Sequence, residues 1–365
     1  MAIGVFVATR PDIIKLTPVI RRMKEESLPF VLIHTGQHYD ANMSDNFFGE
    51  LKLPQPDSFL GAKPETASDV SDLIPRITNF LKKNPLDAVT VLGDTNSAMT
   101  VAVSACVLFL PVIHIEAGCR SFDRRMPEEI NRVLIADCAD LHFAPTRQCL
   151  KNLIEEKVPG EALFSGHPVV ELVEELKPRI ERLGRPQGLD QEFVILTLHR
   201  PENSDDKEKL GFILRSFGRI QMPVIFPVHP RTQKNLKLFG LYDKVPKNVQ
   251  LVEPLGYLEM LRHIRYAHFV ATDSGGVQQE AFLLGTPCLT IRRTFDWPET
   301  LEAGINFLAN PEMPGFEDTI VAIANAADSI RMRFKNVENI FGGTNASKII
   351  VDKIKQQQFF RDSSL

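Results

Sequence analysis

Ala88-Val89-Thr90-Val91-Leu92-Gly93-Asp94-Thr95 is a short apolar, β-branched run that stops abruptly at a glycine and a carboxylate. A run this short with no polar face reads as a strand buried on both sides, the kind a parallel α/β sheet uses. The pattern recurs along the chain. Ile3–Ala8 runs into Thr9-Arg10-Pro11, Val112–Ile115 into Glu116, Phe193–Leu198 into His199-Arg200, and His268–Thr272 into Asp273-Ser274-Gly275-Gly276. In an open parallel sheet, ligands sit beyond the carboxyl ends of the strands. Arg10, Asp94, Glu116, His199 and the Ser-Gly-Gly turn are therefore candidate site residues, placed in a way that packing alone does not explain.

Helical patterns fill the intervals. Arg10-Pro11 opens a helix whose apolar stripe is Ile13, Ile14, Leu16, Val19 and Ile20. Further helices are expected at Ser68–Lys83, Ser97–Leu108 and Glu129–Cys138, with strands at Phe30–His34 and Leu141–Ala144. A polar, Pro- and Gly-bearing stretch at Lys177–Gln191 precedes a second alternation with strands at Val224–Val228, Val249–Val252 and Pro287–Ile291. A helix at Val277–Leu284 ends at Gly285, and an amphipathic helix at Asn345–Gln357 closes the chain. Strand–helix alternation of this kind means βαβ units. The expected class is α/β, with two Rossmann-like, doubly wound domains at residues 1–176 and 177–344 and the active site in the cleft between them.

The bulk composition narrows the function. At 365 residues, 44% apolar and 24% charged, the chain has the make-up of an ordinary globular protein. A net charge of −4 leaves no basic surplus for a nucleic-acid partner. Five cysteines without a CxxC pair, each in or beside an apolar segment, read as buried free thiols in a reducing compartment. The N-terminal apolar run is too short to span a bilayer and has no basic flank or cleavage site, so it reads as a first strand of a cytoplasmic protein with no membrane partner. No histidine pair has metal-ligand spacing, and no metal is expected.

What remains is chemistry at strand ends. Ser274-Gly275-Gly276 stands between a strand and a helix, where glycines let a phosphate approach backbone N–H groups at the helix N-terminus. Taken alone, the same turn reads equally as a tight connection with Ser274 as N-cap. Glu280, one turn on, is placed to face a ribose hydroxyl pair, or is simply a solvated helix carboxylate. No GxGxxG follows any strand and no Walker-type lysine follows this turn, which argues against NAD and P-loop chemistry and for a nucleotide diphosphate held differently. Arg10 and Lys15 offer a guanidinium fork and a point charge to a pyrophosphate, though an isolated Lys15 reads as an exposed helix cation. Asp94 doubles as a possible cap for the helix after it. Glu116 has no such alternative, since Ala117-Gly118-Cys119-Arg120 is not a helix start. The charged run from Arg120 to Glu129 reads as a mobile loop over the crevice, or as a solvated turn. Carboxylates gathered near cations supply what proton abstraction and return need. His199, as imidazolium, offsets charge on a departing phosphate, although histidines after apolar strands are commonly structural.

Thr9-Arg10-Pro11-Asp12-Ile13-Ile14-Lys15, Thr35-Gly36-Gln37-His38, Gly93-Asp94-Thr95, His114-Ile115-Glu116-Ala117-Gly118, Pro127-Glu128-Glu129-Ile130-Asn131-Arg132, His199-Arg200-Pro201-Glu202-Asn203, Asp273-Ser274-Gly275-Gly276 with Gln278 and Glu280, and Pro298-Glu299 stand in order along nearly the whole chain. This series resembles the UDP-N-acetylglucosamine 2-epimerase family. The resemblance implies the GT-B arrangement, with the last helix, about 345–365, packing back on the first domain and UDP gripped by the second. It implies removal of the C2 proton with expulsion of UDP to give a 2-acetamidoglucal, then return of UDP with a proton delivered to the other face. No nicotinamide or other cofactor is implied, and a homodimer is.

By motif position, Asp94, Glu116 and Glu128 are the acid/base carboxylates, His199 helps UDP leave and return, and Arg10 and Lys15 hold the charged intermediate. Leu255, Met260, Ser274, Gly275, Gly276 and Glu280 join Arg10, Lys15 and His199 on the nucleotide. Three positions depart from the family pattern. Trp297 replaces an arginine that reaches the nucleotide in some members, Met260 stands where an aromatic often covers the uracil, and Asp40 replaces a residue that binds a regulatory UDP-sugar in some bacterial members, so no allosteric activation is expected. The rival readings are a hydrolysing 2-epimerase, an epimerase of a modified sugar such as a diacetamido uronic acid, a GT-B glycosyltransferase, and a non-catalytic UDP-sugar sensor, which would have no need of proton-transfer groups.

Overall fold

The structure is a computed structural model that describes residues 2–36, 48–49, 51–62 and 67–357. The family-motif residues Gln37 and His38, and the departure at Asp40, lie outside the described residues. The chain divides into two compact units, Met1–Glu174 with Ile340–Leu365, and Glu175–Asn339.

In the first unit the strands are β1 (Ile3–Val7), β2 (Phe30–His34), β3 (Ser58–Phe59), β4 (Ala88–Leu92), β5 (Val112–Ile115), β6 (Leu141–Ala144) and β7 (Glu161–Phe164). They form one parallel sheet in the order β3-β2-β1-β4-β5-β6-β7. Every residue of β1, β4, β5 and β6 is buried, which is why these strands carry the continuous apolar runs. Helices Ala67–Lys83, Asn96–Val107 and Pro127–Cys138 supply Leu73, Ile77, Val101, Ala102 and Ile135 to a shared core with Val89, Val91 and Val112. The closing helix Ala346–Gln356 packs on helix Arg10–Glu25 within this unit. Its Ser347 backbone N–H and hydroxyl both donate to Glu171 at 2.6 Å.

The second unit contains β8 (Val194–Thr197), β9 (Val224–Pro227), β10 (Val249–Val252), β11 (Phe269–Thr272), β12 (Cys288–Ile291) and β13 (Asn306–Ala309), parallel in the order β10-β9-β8-β11-β12-β13. Numbered within the unit, this is 3-2-1-4-5-6, the doubly wound order that reverses between the first and fourth strands. The first unit reverses at the same place, between β1 and β4.

Several sequence expectations need correction. The polar stretch Lys177–Gln191 begins inside a helix that the sequence reading did not place, Val169–Leu183, which continues through Pro178 on its apolar stripe of Leu172, Val173 and Ile180. Strands β3, β7 and β13, absent from the sequence reading, all lie at sheet edges. Of the five cysteines, Cys119, Cys149 and Cys288 are buried, whereas Cys106 is exposed in the last turn of its helix and Cys138 is half-buried. Among the described residues, no helix is long and apolar enough to cross a membrane.

Candidate active site

At the end of β1, Asp12 caps the helix that carries Arg10 and Lys15. Its Oδ2 accepts from the backbone N–H groups of Ala8 (3.0 Å) and Thr9 (2.9 Å), the return half of a capping box. Burial raises this carboxyl to about 6 despite those donors. Arg10, at the first helical position, is exposed. Lys15 points to the end of β5, where its Nζ donates to both oxygens of Glu116, at 2.9 and 2.7 Å. The pair is largely dehydrated, with side-chain exposures of 13% and 9%. Burial alone would push Glu116 up, but the Lys15 charge and the His167 ring outweigh it and hold the carboxyl at about 2. Lys15 moves upward in turn: Glu116 overrides burial, with Asp94 and Asp12 adding their fields.

Glu116 adopts a left-handed backbone, φ +65°. A non-glycine residue there is uncommon and marks a place where the surroundings over-determine the conformation. The loop behind it is stapled down. A side chain at Gly118 would meet the Cys149 carbonyl at 2.2 Å, so only glycine fits that approach. Asn152 donates to the Gly118 carbonyl at 2.9 Å, and the buried Arg120 meets Glu156 at 2.6 Å. His114 Nε2 donates to the Gly93 carbonyl at 2.8 Å and fixes the turn before Asp94. Burial drives its ring to about 3, so it stays neutral.

Asp94 does not cap the following helix. Thr95 does, accepting from the Ala98 N–H at 3.1 Å. Asp94 instead meets Arg132 Nε and Nη2, both at 2.7 Å. Glu128 lies half-buried in the first turn of helix Pro127–Cys138. Its neighbour Glu129 is the buried carboxylate, accepting from the N–H of Ser121 (2.8 Å), the Ser121 hydroxyl (3.0 Å) and the N–H of Phe122 (3.1 Å). The charged run expected to be a mobile loop is thus held by its own helix.

The second unit builds a different cluster where β8 and β11 end. Asp273 is fully buried and accepts from the N–H groups of His199 (3.1 Å) and Arg200 (3.0 Å) and from Asn203 Nδ2 (3.2 Å). His199 Nδ1 stands 2.9 Å from its Oδ1, which leaves the far edge of a 40% exposed ring facing outward. Burial pushes Asp273 up, but His199 and the N–H donors prevail and hold it below the usual carboxylate value.

Ser274 takes the plain role that the sequence left open, capping helix Gly275–Leu284 through its hydroxyl at 3.4 Å from the Val277 N–H. A side chain on Gly275 would come within 2.7 Å of Asp296, whereas at Gly276 it would meet open space but for the Ser274 hydroxyl at 3.9 Å. Trp297 is 2% exposed and its indole donates to the Gly275 carbonyl at 3.1 Å, so it supports this turn from within. Glu280 is buried in the same helix, which packs on helix Tyr257–Tyr266 carrying the half-buried Met260; Leu255 lies just before that helix.

Sequence reasoning brought Lys15 and Glu116 forward but missed His167, Arg132 and the Asp273 carboxylate as partners. His167 follows β7, and the rule that found the others would have found it had Glu161–Phe164 been recognised as a strand. Among the described residues no cluster of three or more His, Cys, Asp or Glu side chains could hold a metal.

The family profile described as UDP-N-acetylglucosamine 2-epimerase matches residues 21–355. The chain is 37% identical to the UDP-N-acetylglucosamine 2-epimerase of Methanocaldococcus jannaschii over 96% of its own length and 98% of that protein. It is 36% identical to the UDP-2,3-diacetamido-2,3-dideoxy-D-glucuronate 2-epimerase of Pseudomonas aeruginosa, covering 96% and 99% of the two chains. The crystal structure of the M. jannaschii enzyme in complex with UDP-GlcNAc and UDP superposes with a TM-score of 0.86, covering 98% of this chain and 100% of that one at 36% identity. The Neisseria meningitidis enzyme bound to UDP-GlcNAc gives 0.84, over 98% and 100% of the two chains at 29% identity. Two parallel sheets flanked by helices match these two-domain GT-B structures. Fold, motif order and end-to-end similarity agree that the chain belongs to the UDP-N-acetylglucosamine 2-epimerase family.

Proposed function

We propose that the protein interconverts UDP-N-acetylglucosamine and UDP-N-acetylmannosamine. In the forward half, the C2–H bond breaks and its proton passes to a carboxylate. The C1–O bond to UDP breaks as C1=C2 forms, giving a 2-acetamidoglucal. In the return half, a proton reaches the opposite face of C2 and a UDP oxygen rebuilds the bond to C1. The steps are redox-neutral and conserve every atom.

The observation that carries this reading is the dehydrated Lys15–Glu116 pair at the end of β5. Asp94, Glu116 and Glu128 are the acid/base carboxylates. Glu116, held at about 2, is ionised at neutral pH, the state in which a carboxylate can accept a proton. Arg10 and Lys15 offset the charge of the intermediate. In the second unit, Asp273 orients the His199 ring, which meets the diphosphate as it departs. Ser274, Gly275 and Gly276 receive the diphosphate at a helix N-terminus, Glu280 the ribose, and Leu255 and Met260 the uracil. We extend the proposal to a cytoplasmic homodimer, which light scattering on purified protein checks for its stoichiometry.

Proton NMR in D₂O with UDP-N-acetylglucosamine, without added cofactor, tests the reading. Deuterium at C2 with UDP-N-acetylmannosamine appearing is the expected result. Free N-acetylmannosamine with UDP would replace it by the hydrolysing reaction, and no C2 exchange until an acceptor is supplied would favour a glycosyltransferase. The 36% identity to the P. aeruginosa diacetamido uronate enzyme supports a second reading, in which that modified sugar is the substrate. It predicts faster exchange with the uronate than with UDP-N-acetylglucosamine.

A further inference from the structure

We infer that His167 is a positioning residue for Glu116, and that through it the returning C-terminal segment helps set the acid/base site. The ring is completely buried. Its Nδ1 accepts from the Val169 N–H at 3.0 Å, so that nitrogen carries a lone pair and the neutral ring keeps its hydrogen on Nε2. Nε2 stands 3.3 Å from Glu116 Oε2, the same oxygen that Lys15 meets at 2.7 Å. One carboxylate oxygen thereby lies between an ammonium and an imidazole Nε2, the second at a 3.3 Å electrostatic approach and not in an aligned hydrogen bond.

The ring is fixed by contacts that have nothing to do with substrate. Phe341 stands edge-on to it, with centroids 6.1 Å apart and planes at 83°. The His167 N–H donates to the Phe341 carbonyl at 2.8 Å. A side chain on Gly166 would lie 2.8 Å from that same carbonyl, so the two segments meet at backbone distance. Burial keeps the ring neutral, lowering it from its ordinary value, although Glu116 pulls the other way. A neutral donor adds orientation without a second positive charge beside Lys15. The charged groups acting here are Lys15 and Glu116, with Asp94 and Asp12 acting on Lys15. A base role for His167 does not fit, because Nδ1 is occupied, Nε2 faces a carboxylate and the ring itself has no exposed surface.

The catalytic consequence rests on the reading of Glu116 given above; the geometry does not. Two variants separate a structural from a positioning role. His167→Phe keeps bulk and the edge contact but removes the donor, and His167→Gln restores an N–H near the Nε2 position. His167→Phe is expected to lower kcat for C2 exchange roughly 10- to 100-fold with KM within about threefold, and His167→Gln to recover most of the loss. Carbon-13 NMR of labelled glutamate carboxyls, with the Glu116 signal assigned by its loss in Glu116→Gln, reads the same interaction without turnover. The expected result is an upward move of the Glu116 midpoint by about one unit in His167→Phe. Nitrogen-15 NMR of the unmodified protein is expected to show the Nε2–H tautomer of His167 between pH 5 and 8.

An Nδ1–H tautomer, an imidazolium, or a His167→Phe protein with unchanged midpoint and kcat would overturn the inference. If the parent protein exchanges no C2 hydrogen, the functional reading fails by itself, and tautomer and midpoint still decide for or against His167. If His167→Phe does not fold, His167→Gln and the tautomer decide.

Discussion

The two units put different chemistry on the same topological frame. In each, the sheet reverses direction between its first and fourth strands, β1 and β4 in one, β8 and β11 in the other. In the second unit the residues ending those two strands find each other, with His199 after β8 standing on Asp273 after β11. In the first unit Asp94, after β4, meets Arg132 from the helix that follows β5, and the dehydrated ion pair forms one strand further out, between Lys15 and Glu116. The frame fixes where side chains stand, and the residue types then select partners. One site locks its charges away from water, while the other buries only the anion and leaves the ring 40% exposed. Under the proposed function, the first arrangement holds charge where protons move and the second meets the departing phosphate.

The sharpest way to break this contrast is Glu116→Gln. It leaves Lys15 buried without its counter-charge, which should cost about 3–5 kcal/mol in urea unfolding, and should reduce C2 exchange by roughly 10²- to 10⁴-fold. Near-normal turnover in this variant would remove Glu116 from the chemistry. Asp273→Asn should come next. It places an amide against the N–H groups of His199 and Arg200 and frees the ring, lowering kcat roughly 10²-fold. UDP binding by calorimetry should change far less; a kcat equal to the parent's would make His199 a bystander.

The pH dependence of stability tests the first unit alone. A carboxyl depressed from its ordinary 4.5 to about 2 contributes stability fully above pH 4.5 and loses it as pH falls toward 2. Denaturant midpoints should therefore decline more steeply below pH 4.5 in the parent than in Glu116→Gln, and parallel curves would contradict the assignment. Asp12 has the opposite sign. Its carboxyl, raised from 3.8 to about 6, weighs against the folded state most above pH 6, and the penalty fades as pH falls through 6 towards 3.8. Since both backbone donors reach one oxygen, an amide oxygen can accept them, and Asp12→Asn should stabilise the protein at pH 7.5 relative to its effect at pH 5. Ser274→Ala should give the smallest effect, about 1 kcal/mol for a lost cap, with a several-fold rise in the Kd for UDP. An unchanged Kd would leave Ser274 with its capping role only.

Which elements the sequence revealed follows from burial. Strands β1, β4, β5, β6, β11 and β12 have both faces covered, so each announces itself as an apolar run. β7 reads Glu-Ala-Leu-Phe at a sheet edge with no fully buried residue, and β3 is only two residues long. Such strands need few apolar residues and leave no clear run. Missing β7 concealed His167, the polar residue just beyond it. Ser274 was legible as a cap because capping is local, within three residues.

The sequence by itself determined where the strands end and which polar residues stand there, because two-sided burial and helix-start chemistry act over a few residues. Only the tertiary structure decided the pairings. Lys15 and Glu116 are 101 positions apart and His199 and Asp273 74 apart, and Phe341 reaches His167 from the far end of the chain. Charge and burial act through space, and a parallel sheet brings such residues together only after its crossovers are complete.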